Sequence, residues 1–136
     1  MLSLSLQNTK DFMSKLLKND TFDNFELHNL TIHSVACFEV TKMPSVPSPT
    51  WATIRPLAFE VIKGNKAPNH MKIVLAQTSE DIVRFLNITF DGEKITITSG
   101  LSQKNFSLDK SEHRQWNEHI LDFLGNNAIS YTNDLL

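Results

Sequence analysis

Glycine is scarce in this chain: 136 residues hold four. None of the four has the spacing of a dinucleotide fingerprint, a G-x-x-x-x-G-K-[ST] phosphate loop or a G-x-S-x-G nucleophile elbow, so those chemistries are absent by motif. Cysteine is scarcer still. Cys37 stands alone, which excludes an internal disulfide and fits a reducing, cytoplasmic setting. No run of eighteen apolar residues occurs, so no segment reads as a membrane-spanning helix. The opening "MLSLSLQ" has neither a basic start nor an unbroken apolar run, and is read as a strand rather than a signal peptide. A net charge of −2 gives no overall pull toward nucleic acid or an anionic membrane.

What is present is a domain-sized chain with 40% hydrophobic residues, enough for one core without staples. Leu2, Leu4 and Leu6 alternate with polar residues, the mark of a half-buried strand. Asn8 then caps a helix whose Phe12, Met13, Leu16 and Leu17 share one side. From Phe25 to Val40 the chemistry is that of strands. Leu30, Ile32, Ala36, Phe38 and Val40 share one parity, whereas Phe25 and Leu27 have the other. A bulge or turn near His28-Asn29 reconciles them, and His33-Ser34 is a second turn. "KMPSVPSPT" holds three prolines and reads as a loop or extended edge.

In "WATIRPLAFEVIKG", Pro56 suits a first helical position and Gly64 the residue past a helix end. The alternation of Leu57, Phe59 and Val61 also fits a strand; the agreement of both end signals favours a helix over 56–63. "HMKIVLAQ" is a strand, and Ser79 is expected to cap a short helix, "EDIVRFL". Asp91-Gly92 reads as a two-residue hairpin turn, placing Ile88 opposite Ile95 and Leu86 opposite Ile97. A second loop at Gly100–Gln103 brings Phe106 and Leu108 onto the same face. Asn87, Thr89, Thr96 and Thr98 then line a wet face. The last helix has an Asp109/Glu112 capping box, a stripe of Trp116, Ile120, Phe123 and Leu124, and Gly125 at its end. The expectation is one α+β domain over residues 1–125, an antiparallel curved sheet with helices packed on one face. Two strand-helix-strands repeats and a C-terminal helix build it, and residues 126–136 form a loosely held tail.

Chemistry-bearing residues are few. His28, His33 and Cys37 match no familiar zinc spacing. His113 and His119 stand six apart, about 120° from each other around a helix. Glu80-Asp81 and Asp91 with Glu93 are explained by a helix start and a hairpin tip. No catalytic residue, metal site or cofactor is assigned. Charge, however, is uneven. Lys10, Lys15 and Lys18 against Asp11 make residues 1–18 basic, and Lys42, Arg55, Lys63, Lys66 and Lys72 against Glu60 do the same for 42–72. If the two helices lie side by side, Lys15, Lys18, Arg55, Lys63 and Lys66 form a surface for nucleic acid or another polyanion. Ordinary solvation of helix surfaces accounts for the same pattern.

Three blocks, "DFMSKLLKNDTFDNFEL", "IRPLAFEVIKGNKAPNHMKIVL" and "FSLDKSEHRQW", resemble in order an uncharacterised family of small Firmicutes proteins. That resemblance implies a domain of unknown function and supplies no catalytic residues. The element pattern is also similar to one domain of a sliding DNA clamp, whose paired helices face DNA with basic residues; fold likeness alone does not assign that function. The reading is therefore an intracellular, non-enzymatic binding module. The alternatives are a protein-interaction or homo-oligomerisation domain, and a small enzyme with a site assembled from distant residues.

Overall fold

In the computed structural model, residues 2–34, 36–41, 43, 46–63, 68–79, 81–103 and 111–133 are described. The order is β1 (Ser3–Leu6), α1 (Thr9–Leu17), β2 (Glu26–His33), β3 (Cys37–Thr41), α2 (Trp51–Lys63), β4 (His70–Ser79), β5 (Ile82–Phe90), β6 (Ile95–Gln103), α3 (Ser111–Asn126) and β7 (Tyr131–Asn133). The strands form one seven-stranded sheet, β3-β2-β4-β5-β6-β1-β7. Every pairing is antiparallel. The α+β expectation holds. Among the described residues no helix is long and apolar enough to cross a membrane.

Period-2 alternation decides which face is greasy. Leu4, Leu30, Ile32, Ile73, Leu75, Leu86, Ile88, Ile95 and Ile97 point one way and are buried. Phe12, Leu16, Trp51, Ala58, Trp116, Ile120 and Leu124 from the three helices join the same cluster. The reverse face carries Asn87, Thr89, Thr96 and Thr98, all half-buried, as the alternation requires. Register slips between Leu27 and Asn29 where β2 meets β4. This is the expected bulge, and it returns Leu27, Leu30 and Ile32 to one side despite their mixed parity.

Several expectations are corrected. The β5–β6 hairpin pairs Phe90 with Ile95, Ile88 with Ile97 and Leu86 with Ser99, two residues away from the expected register. The central turn residues are Gly92 and Glu93, closed by Asp91 N–H donating to the Lys94 carbonyl at 3.3 Å. Gly92 has φ 99°, the sign a II′ turn demands at its first central position. The shared face survived because a two-residue shift preserves parity. Segment 82–90 is not a helix after Ser79 but β5, paired along its whole length with β4. Its Ile, Val and Phe side chains fit a pleated surface, and that outweighs the acidic start at Asp81. Gly100–Gln103 is not a loop either; β6 runs through it, and the third partner of the meander is β1, with Leu4 opposite Ile97. Phe106, Leu108 and Asp109 lie outside the described residues, as do Glu80, Gly64 and Lys66.

α2 begins at Trp51, five residues before Pro56, which sits inside the helix. Thr50, whose hydroxyl lies 3.3 Å from that of Thr53, occupies the entry position, and Trp51 N–H donates to the Phe25 carbonyl at 2.8 Å. Those contacts outrank the single-residue proline signal. α1 starts as expected, with Asn8 Oδ1 accepting from Asp11 N–H at 3.0 Å.

Residues 126–136, expected as a tail, carry β7 next to β1, and Ile129 before it is buried. α3 also runs one residue past Gly125. Its end is closed by Ile129 N–H donating to the Leu124 carbonyl at 2.9 Å and Ala128 N–H to the Gly125 carbonyl at 3.2 Å. That is the bonding of a Schellman cap, with Ala128 at φ 56° in the place glycine prefers. Ala128→Gly is therefore expected to stabilise the protein by about 0.5–1 kcal/mol, relief of left-handed strain outweighing the extra unfolded-chain freedom. A urea midpoint that does not rise would contradict this.

At the hairpin tip the Asp91 carboxylate accepts from Glu93 N–H and Lys94 N–H, both at 2.9 Å. The Lys94 amide first, then the Glu93 amide, hold its pKa below the ordinary 3.8. A depressed carboxylate contributes stability that is present above the unfolded value and is lost as pH falls through the folded one. Asp91→Asn keeps an acceptor oxygen but cannot titrate. Its melting temperature is expected to fall less steeply than that of the wild type below pH 3.8. Parallel melting curves for the two proteins across that range would refute the assignment.

Candidate functional site

α1 and α2 lie against each other on the greasy face. The last carbonyls of α1 have no partner within the helix. Trp51 supplies one: its indole N–H donates to the Leu16 carbonyl at 2.8 Å, and its side chain is fully buried. Phe12 meets Phe22 edge-on at 5.5 Å between centroids, and Phe22 and Phe25 pack on Phe123 of α3 at 5.2 and 5.3 Å. Arg55 grips Asp23 through both carboxylate oxygens, at 2.8 and 3.0 Å. The turn after α1 is thus tied to α2, and the two helices are held as a unit.

Between them runs a groove of about 570 Å³. Met13 and Leu17 of α1, Phe59 and Ile62 of α2, and Phe90 at the end of β5 give it apolar walls. Lys10, Lys18 and Lys63, all exposed, stand at its rim. Lys10, Met13, Ser14, Leu17 and Lys18 follow the i, i+3, i+4, i+7, i+8 spacing, so a single stripe of α1 presents them. Lys10 and Lys18 stand eight positions apart, about 12 Å along the axis. No carboxylate or histidine lines the groove among the described residues.

The five cations expected to act together separate into different roles. Lys18 and Lys63 reach the groove. Lys63 also pairs with Glu60 at 3.0 Å and lies 5.6 Å above the Phe59 ring. Lys15 turns away, bonded to Asp11 at 2.7 Å and to the Ala128 carbonyl at 3.1 Å. Arg55 is engaged by Asp23, and that hydrogen bond holds its pKa above the usual range. Lys66 is outside the described residues. Lys10 was counted in the basic block but not as a site residue. Its i, i+3, i+7 alignment with half-buried Met13 and with Leu17, which is buried alongside Phe12 and Leu16, is the signal that identifies it.

Among the described residues no histidine forms an ion pair with a carboxylate. His33 pairs with Cys37 on β3 and with His70 on β4, the two imidazoles 5.6 Å apart. His28 lies at the bulge against Phe85, and His119 stacks on Trp116 at 5.4 Å. Among the described residues no group of three or more His, Cys, Asp or Glu is disposed to hold a metal ion.

No curated protein and no solved structure matches the chain. A family pattern matches residues 15–86 and 79–132, which takes in the α2 side of the groove with Leu17 and Lys18, but not Lys10 or Met13. On that match, which covers most of its length, the chain belongs to the family described as "Family of unknown function (DUF5721)".

Proposed function

We propose that this protein is a non-catalytic binding module whose α1–α2 groove takes an apolar anion, a ligand with a hydrocarbon body and an acidic head. The observation that carries the reading is the composition of the groove: apolar walls, three lysines at the rim and no acid or imidazole among its described residues. Its size falls in the range of small-molecule sites. The walls favour a ligand that removes apolar surface from water. The lysines select the sign of its head group, and no carboxylate or imidazole among the described lining residues is placed to act as a base.

Laurate is a suitable probe, followed by titration calorimetry. Saturable one-to-one binding is expected, with dodecanol binding more weakly. Lys10→Glu combined with Lys18→Glu removes two favourable surface contacts and adds two repulsions. At ~0.5 kcal/mol each this is ~2 kcal/mol, roughly a thirtyfold loss of laurate affinity. Equal binding of laurate to both proteins, or none to the wild type, would refute the reading.

A second reading draws on the adjacency of α1 and α2 within the successive units β1-α1-β2-β3 and α2-β4-β5-β6. That layout supports a clamp-like arrangement in which the helices meet nucleic acid, with Lys15, Lys18, Arg55, Lys63 and Lys66 as contacts. Oligothymidine binding with a steep fall between low and moderate salt would favour it. Lys15 and Arg55 are engaged by Asp11 and Asp23, and Lys63 by Glu60, which leaves Lys10 and Lys18 as the groove lysines without a carboxylate partner among the described residues and favours the apolar-anion reading.

A further inference from the structure

One end of the sheet brings two histidines together. His33, the last residue of β2, stands directly opposite His70, the first of β4. Their neighbours Ile32 and Met71 are buried toward the helices, so alternation turns both imidazoles to the polar face, away from the α1–α2 groove. The ring centroids are 5.6 Å apart. Two imidazoles bound to one ion at about 2.1 Å, with a tetrahedral or slightly wider angle between them, hold their centroids about 5–5.5 Å apart. The pair is therefore close to chelating distance before any ion arrives.

Hydrogen bonds are missing at the same corner. Among the described residues three buried side-chain polar atoms have no hydrogen-bond partner: Asn117 Oδ1, His70 Nδ1 and the Oγ of Ser34, the residue after His33. Two of the three thus lie at or beside the histidine pair. A buried ring nitrogen left alone is costly, and a metal ion takes up its lone pair as well as a hydrogen-bond donor does.

We propose that His33 and His70 form a two-imidazole site for a divalent transition-metal ion of the kind that imidazole suits, Zn²⁺, Ni²⁺ or Cu²⁺. His70 binds through Nδ1, the nitrogen that has no hydrogen bond. Water completes the coordination, because the described residues offer no third His, Cys, Asp or Glu in reach. Cys37 pairs with His33 from β3, so His33 stands between the thiol and His70. An ion held by the pair ties the end of β2 to the start of β4.

Calorimetric titration of the full chain with Zn²⁺ tests this. One ion per chain is expected. His33→Ala, a change at an exposed position, and His70→Ala should each weaken binding by about tenfold or more, because the second imidazole no longer closes the chelate. Cys37→Ser and His113→Ala should leave the affinity unchanged. Zn²⁺ should raise the melting temperature of the wild type and not that of His33→Ala. In imidazole nitrogen NMR spectra the His70 Nδ1 resonance should move on saturation. No binding at millimolar Zn²⁺ overturns the proposal, as does equal affinity in the wild type and His33→Ala. A loss with Cys37→Ser as large as that with His33→Ala assigns the ion to the thiol and overturns it too. None of these results depends on whether the α1–α2 groove binds laurate.

Discussion

Trp51→Ala is expected to cost about 4 kcal/mol of folding stability, the largest effect of any single substitution considered for this protein. Two losses combine. The indole is fully buried at the junction of α1 and α2, so its removal opens a cavity that the flanking helices close only in part. The Leu16 carbonyl also loses its donor, and a buried carbonyl left without a partner costs about 1–3 kcal/mol on its own. Trp51→Phe separates the two: most of the ring volume stays, the hydrogen bond goes, and a loss of about 2 kcal/mol is expected. Because a domain of this size is stable by only about 5–15 kcal/mol, the alanine variant should unfold at a much lower urea concentration. Its laurate affinity should fall as well, since the groove walls come from the two helices that Trp51 joins. A midpoint for Trp51→Ala close to that of the wild type would show that the helices are held by something else.

The second large effect is at Asp23. Asp23→Ala strands the Arg55 guanidinium, itself only 22% exposed, without its two-oxygen partner. A loss of about 2 kcal/mol is expected, as for other charge-assisted bonds that are partly sheltered from water. Arg55→Ala should lose a similar amount, because the Asp23 carboxylate left behind is itself only 17% exposed. A double-mutant cycle should then return a coupling of about 1–2 kcal/mol. The same variants discriminate between the two functional readings. If Arg55 is a structural tie, Arg55→Ala destabilises the fold and leaves laurate affinity unchanged once the protein is folded. If Arg55 contacts a polyanion, oligothymidine binding falls while the urea midpoint stays where it was.

Much of this architecture is legible in the sequence wherever periodicity and a cap agree. β1, α1 with its Asn8 cap, the bulge in β2 and the buried stripe of α3 all follow from local patterns. The failures share a cause: a local signal was overruled by a partner distant in the chain. Asp81 after Ser79 looks like a helix start, but β4 offers the following residues a full antiparallel ladder. Pro56 looks like a first helical residue, but Trp51 finds both the Phe25 and the Leu16 carbonyls. Gly100 looks like a turn, yet it lies flat in β6, where a Cβ would come 3.4 Å from Phe85 Cβ. Tyr131–Asn133 have no strong strand signal and become β7 because β1 presents an open edge to them.

The candidate site was legible only in part. Charge counting located the two basic segments correctly but could not tell which cations are free. Lys15 and Arg55 are consumed by Asp11 and Asp23, one four residues away on the same helix and the other thirty-two residues distant. The apolar walls are not legible in the sequence, because α1 supplies Met13 and Leu17, α2 supplies Phe59 and Ile62, and β5 supplies Phe90, and only the fold brings the three elements together. Met13, expected on one helix side with Phe12, Leu16 and Leu17, is half-buried: it packs against the core and also lines the groove.

An amide-resolved NMR titration of the full chain with laurate addresses the groove most directly. Saturating shifts are expected at Lys10, Met13, Leu17, Phe59, Ile62 and Phe90, with the reverse face of the sheet, Asn87, Thr89, Thr96 and Thr98, left unmoved. Shifts concentrated on that polar face, or a spectrum unchanged by millimolar laurate, would contradict the assignment of the α1–α2 groove as the binding site.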